Sequence, residues 1–201
     1  MTDSEFLADL LQQVSARSAA TSDFSETAFA SVVAEALVDS GSVPGFEPAF
    51  FVHRGMRVDG YAYTEDEATL DLFQVEYHGE PEVQSLTKTS LDSCLKRAET
   101  FFERAVDGDL SVEVDVGSSV WSLARQLAQL GHSVVRIRLN ILSDARLSSM
   151  VKALPTKKKG EREWAVRVWD LTAIGRLLST GEPEPIVIDF VKMFGKGLPC
   201  L

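Results

Sequence analysis

Cysteine is nearly absent: the 201 residues contain two, Cys94 and Cys200. A disulfide framework and a cysteine-rich zinc site are thereby excluded, and Cys94, inside an amphipathic stretch, reads as a packing residue. Basic residues are also scarce, with 20 Lys and Arg against 30 Asp and Glu and a net charge of −10. That excludes a broad nucleic-acid surface, which needs Lys and Arg to replace counterions along the phosphates, though not a local basic groove. No apolar run approaches the ~20 residues of a membrane helix. The opening "MTDSEFLADLLQQVSARSAA" is acidic and amphipathic, where a secretory signal is basic and then apolar. The expected location is the cytoplasm, with no membrane partner. G-x-S-x-G, GxxxxGK[ST] and G-x-G-x-x-G are all missing, so the common hydrolase and nucleotide-binding motifs are excluded. The three histidines, His53, His78 and His132, lack metal-ligand spacing and read as residues of turns and element ends.

What remains is an ordinary globular composition, 45% apolar and 25% charged, long enough for one core. One domain over 1–201 is expected, with a peripheral helix in 1–20 and a core over 24–190. "TDSE" at Thr2–Glu5 has capping-box spacing and precedes Phe6, Leu7, Leu10, Leu11 and Val14 at helical intervals, which predicts a helix near 3–17. Asp23 and Glu26 offer a second start, for a helix near 24–40 that Gly41 ends. Three runs then alternate apolar and polar residues, near 48–54, 56–64 and 68–78, and predict an antiparallel meander.

Beyond the meander, Thr89 and Asp92 can cap a helix near 87–107, and "DGDLSVEVDVGSS" reads as a connector with room for a short strand. A helix near 117–130 leads into "SVVRIRLNIL", where Val135, Ile137, Leu139 and Ile141 alternate with Arg136, Arg138 and Asn140 as in a strand covered on one face. "LPTKKKGERE" reads as a solvated basic loop tip, "WAVRVWDL" as a strand, Asp170 as the cap of a short helix, and "PIVIDF" as a last strand. Trp121, Trp164 and Trp169 fall at packing positions. Strands that start as a meander and then alternate with helices predict an α/β (α+β) fold, one mixed sheet between helical layers.

The order helix, three antiparallel strands, helix, strand resembles the restriction-endonuclease-like core. In that core, an acid on the second strand and an acid two positions before a lysine on the third hold Mg²⁺ beside a scissile phosphate. Here Asp59 lies on the second strand before Gly60. Gln74 and Glu76 share a face of the third because strand side chains repeat every two residues, while Asp71 points the other way. Asp59, Gln74 and Glu76 are the candidate catalytic set. Asp59 and Glu76, with Glu35 of the preceding helix, are the candidate metal ligands. Glu76 stands where the lysine would be and Gln74 where the acid would be; Lys88 and Lys96 are candidates for a displaced cation. The plainer alternative makes Asp59 a turn residue and Glu76 a solvated strand position.

"GMRVDGYAYTEDEATLDLFQVEYHG", "LTKTSLDSCLKRAETFFERA", "VVRIRLNILSD", "VRVWDL" and "IDFVKMFGKGLPCL", taken in order, resemble the N-terminal domain of the AIPR family, the abortive infection phage resistance proteins of bacteria. The resemblance implies an N-terminal piece of a longer protein and a role in phage defence. Two readings follow. One is a metal-dependent, or degenerate, nucleic-acid-cleaving domain. The other is a non-catalytic sensing or assembly module that binds a phage component, the C-terminal region of its own protein, or a further copy in a homo-oligomer.

Overall fold

The computed structural model describes residues 2–64, 68–154 and 156–180. The expected strand "PIVIDF" and Cys200 lie outside the described residues. The order is α1 (Asp3–Thr21), α2 (Ser25–Asp39), β1 (Glu47–His53), β2 (Met56–Thr64), β3 (Thr69–Glu76), β4 (Ser85–Leu86), α3 (Lys88–Val106), α4 (Asp109–Glu113), α5 (Ser119–Leu130), β5 (Arg136–Ser143), β6 (Arg146–Leu147), β7 (Thr156–Lys159), β8 (Arg162–Trp169) and α6 (Leu171–Thr180).

Six strands form one sheet in the order β1-β2-β3-β5-β8-β7, with β4 and β6 as a separate parallel pair. β1, β2 and β3 are the expected meander, closed between β1 and β2 by the tight turn Arg54–Gly55, both at positive φ. α3 then carries the chain over so that β5 runs parallel to β3, and β8 parallel to β5. The pattern is an α+β fold with a mixed sheet.

Because strand side chains alternate, the sheet builds a core on each face. On one face Leu70, Leu72, Ile137, Leu139, Ile141, Trp164 and Val166 pack beneath α3 and α5. On the other, Phe73, Val75 and Leu142 pack beneath α1, α2 and α6, which supply Phe6, Leu10, Phe29, Val33, Leu37, Ile174 and others. The N-terminal helix is therefore seated in a core: Phe6, Leu7, Leu10 and Val14 are buried. Its capping box is present, with Thr2 and Glu5 each bonded to the other's backbone.

Local chemistry modifies several expectations. α2 starts at Ser25, one residue after a Phe24 that offers no capping side chain, so Asp23 does not cap it. Thr87, not Thr89, caps α3 through the Ser90 amide. The connector after α3 forms the short helix α4 around buried Leu110, and no strand. Gly131 follows α5 at a right-handed φ of −59°; its lack of Cβ matters because that atom would strike Val106. The basic tip is a strand: β7 pairs with β8, and Lys157 and Lys159 are held by Glu99 and Glu103 of α3. Asp170 does cap α6, taking the Ala173 amide at 2.9 Å, and its second oxygen takes the Leu147 amide at 2.8 Å.

Candidate functional site

β2 loses its alternation at Asp59. Val58 and Tyr61 enter the same core although three positions apart, and the β2–β3 ladder ends at the Gly60–Phe73 pair. The strands separate beyond that point, and side chains replace the missing backbone pairing. Asp59 Oδ2 accepts the Val75 amide at 2.7 Å and the Arg57 Nε–H at 2.8 Å, and Oδ1 accepts Arg57 Nη2 at 3.2 Å. Arg57 also donates to Glu26 of α2 at 2.5 Å. Asp59 is 3% exposed, so burial is the largest influence on its carboxyl and pushes it above the ordinary value, against the pull of Arg57 and the Val75 amide. For Arg57, burial opposes the charge, but its two carboxylates outweigh it and the guanidinium is held more firmly charged.

Gln74 borders the same gap from the α3 side. Fully buried, it donates one Nε2 hydrogen to the Arg57 carbonyl at 2.9 Å and the other to the Cys94 carbonyl at 3.1 Å. Its Oε1 has no hydrogen-bond partner among the described residues. Glu76, one pleat further along, turns to α3, where Oε1 meets Arg97 Nη2 and accepts from Cys94 Sγ at 3.2 Å. Burial is the main reason the Cys94 thiol is pushed up to about 12, with Glu76 adding to it.

The structure thus divides the sequence-derived set. Asp59 and Gln74 meet across the gap through Arg57. Glu76 is drawn aside by Arg97. Glu35 sits in a separate hollow with Phe46 and Pro48, bridged to Arg17. Among the described residues, no three His, Cys, Asp or Glu side chains form a group able to hold a metal ion. As placed, the carboxylates do not fit a divalent cation: the oxygens of Asp59 and Glu35, and Oε1 of Glu76, already accept from guanidinium, amide or thiol groups. The cation that meets Glu76 is Arg97; of the lysines expected near the site, Lys88 pairs with Asp92.

Two polar centres escaped the sequence reading. Asp71, fully buried on the opposite face as its position required, accepts from Arg138 Nη2 at 2.8 Å and Asn140 Nδ2 at 2.9 Å, and Trp169 Nε1 donates to Asn140 Oδ1 at 3.2 Å. Arg167, beside Arg138, is half-buried, and that burial lowers its pKa. Asp144, 2% exposed, gathers the amides of His78 and Gly79 at 2.9 and 2.8 Å and meets His78 Nδ1 at 3.1 Å, tying the end of β3 to the end of β5. The one available signal was the pairing of a polar residue in β3 with Arg138 and Asn140 in β5, which the periodicity placed on one face.

Residues 29–176, spanning the six-stranded sheet and the gap, match the family model described as the abortive infection phage resistance protein N-terminal domain. The chain belongs to this family. Membership implies a role in abortive-infection phage resistance. No curated protein and no solved structure matches the chain. None of the domain's described helices is long and apolar enough to cross a membrane.

Proposed function

We propose that this abortive-infection domain is a protein-binding assembly module whose nuclease-like cleft has been closed by ion pairs. The observation that carries the reading is that both acids at the positions a nuclease would use, Asp59 and Glu76, are each matched to an arginine, Arg57 and Arg97. A hard cation binds carboxylate oxygens that are free to enter its shell; an arginine in contact competes for the same lone pairs and neutralises the charge that attracts the metal. Glu76 in place of a lysine leaves no ammonium to meet a developing negative charge. The acidic balance of the chain also favours protein partners over phosphate backbones.

A second reading, a metal-dependent or degenerate nuclease acting on nucleic acid with Mg²⁺, draws support from one feature: the buried, unpartnered Gln74 Oε1 faces the region where β2 and β3 part. One experiment separates the two. Calorimetric titration of the chain with Mn²⁺ and Mg²⁺, paired with a cleavage assay on single- and double-stranded nucleic acid, is expected to give neither saturable heat nor product. Saturable heat that disappears in Asp59→Ala establishes the nuclease reading instead.

A further inference from the structure

The two edges of the six-stranded sheet are finished differently. At one edge β7 reads Thr-Lys-Lys-Lys, and lysines on an edge strand oppose the addition of another strand. At the other, β1 carries no lysine; Pro48 and a bulge between Pro48 and Phe51 interrupt the edge at one point, and Phe50 and Val52 are 36% and 71% exposed. Beside β1 lies a hollow of about 620 Å³, whose far wall is the α4–α5 connector with Glu113, Val114 and Asp115. Val112 and Val116, next to those residues in the chain, are 86% and 69% exposed. Single exposed apolar residues need no explanation, but a group of them around an open sheet edge marks a contact surface.

We infer that β1 is a self-association edge, paired antiparallel across a two-fold axis with β1 of a second copy of this chain. A two-fold interface must be complementary to itself, and β1 is. The stretch from Glu47 to Arg54 begins with an acid, is apolar in the middle and ends in His53 and Arg54. Antiparallel pairing brings the acidic end of each stretch, where Glu47 also accepts from the Tyr61 hydroxyl at 2.6 Å, to the basic end of the other. Acid meets base at both ends, and the apolar middles cover each other. Among the described residues each remaining edge is the lysine-bearing β7, which opposes the addition of a third copy.

This inference rests on the assembly-module reading, but the two fail separately: metal titration reports only on the cleft, and hydrodynamic mass only on the edge. The test is sedimentation velocity of the whole chain at micromolar concentration in low and high salt. The expected result is a species of twice the 22.0 kDa chain mass at both salt concentrations. Val52→Lys returns the mass to that of one chain with an unchanged far-ultraviolet dichroism spectrum, and Phe50→Glu does the same if Val52→Lys disturbs folding. Met150→Lys, at an 81% exposed site in the loop between β6 and β7, leaves the dimer intact. A wild-type chain that stays monomeric overturns the inference. So does a dimer that survives both edge substitutions.

Discussion

Replacing Asp59 with alanine distinguishes a structural clasp from a catalytic acid, because the two roles predict opposite effects on stability. The side chains of Asp59 and Arg57 are only 5% and 13% exposed, so removing the carboxylate strands a guanidinium that keeps only the half-exposed Glu26. Breaking a buried pair from one side costs about 3–5 kcal/mol. The same substitution deprives the buried Val75 amide of its acceptor, worth about 1–3 kcal/mol. The two costs overlap, since Glu26 remains and water can enter the space left behind, and a net loss of about 3 kcal/mol is expected. With urea slopes of about 1–3 kcal/mol per molar, the unfolding midpoint should fall by at least about 1 M. Asp59→Asn, which keeps an acceptor for Val75 but not the charge, should fall between the two. A catalytic acid held in place for chemistry would behave otherwise, since such groups are commonly neutral or costly to stability. An Asp59→Ala midpoint equal to or above that of the wild type would refute the clasp.

Three further outcomes follow from the geometry. Asp71→Asn takes away the buried carboxylate that accepts from Arg138 and Asn140, and should cost about 3–5 kcal/mol in the same urea assay; a loss under about 1 kcal/mol would mean that water already screens the cluster. Cys94, whose thiol is pushed to about 12 from 9.0, should hold about a thousandfold less thiolate at pH 8 than an ordinary cysteine. In a Cys200→Ser background, iodoacetamide should therefore label the folded chain only at the rate of unfolding, and brisk labelling would place the thiol in reach of solvent. Gly60→Ala drives a Cβ into the Phe46 ring, which packs edge-on against Phe73 at 5.1 Å. An overpacking cost of about 1–3 kcal/mol should lower the melting temperature by roughly 2–4 °C per kcal/mol, and an unchanged melt would show that the ring moves freely.

Most of the scaffold was legible because it follows from periodicity. The alternation in "TLDLFQVE" and "RIRLNILS" fixes which side chains reach which core, and it placed Asp71 and Gln74 on opposite faces. The site was legible only as a set of positions. A pleat argument brings Gln74 and Glu76 to one face, but it cannot show that β2 slips at Asp59, since that irregularity comes from a side chain replacing a backbone partner across 16 positions. Nor does spacing disclose the arginines: Arg57 is two residues from Asp59, and Arg97 reaches Glu76 from a helix that begins after β4. The lysine-rich strand β7 was read as a loop because its apolar signal is nil; it is held by hydrogen bonds to β8 and by acids on α3 that lie more than 50 residues earlier.

Phe6, in the first helix, rests its ring on Gly175, in the last described one, where any side chain would crowd it. During synthesis on the ribosome, the first of these helices emerges long before the surface it sits on. At about 5–20 residues per second, some ten to thirty seconds pass between the two. α2 arrives early and gives the first helix a provisional neighbour, but the place beneath Phe6 stays open until α6 has left the exit tunnel. Over that interval the newborn chain shows Phe6 and its apolar neighbours on the first helix to the surrounding chaperones.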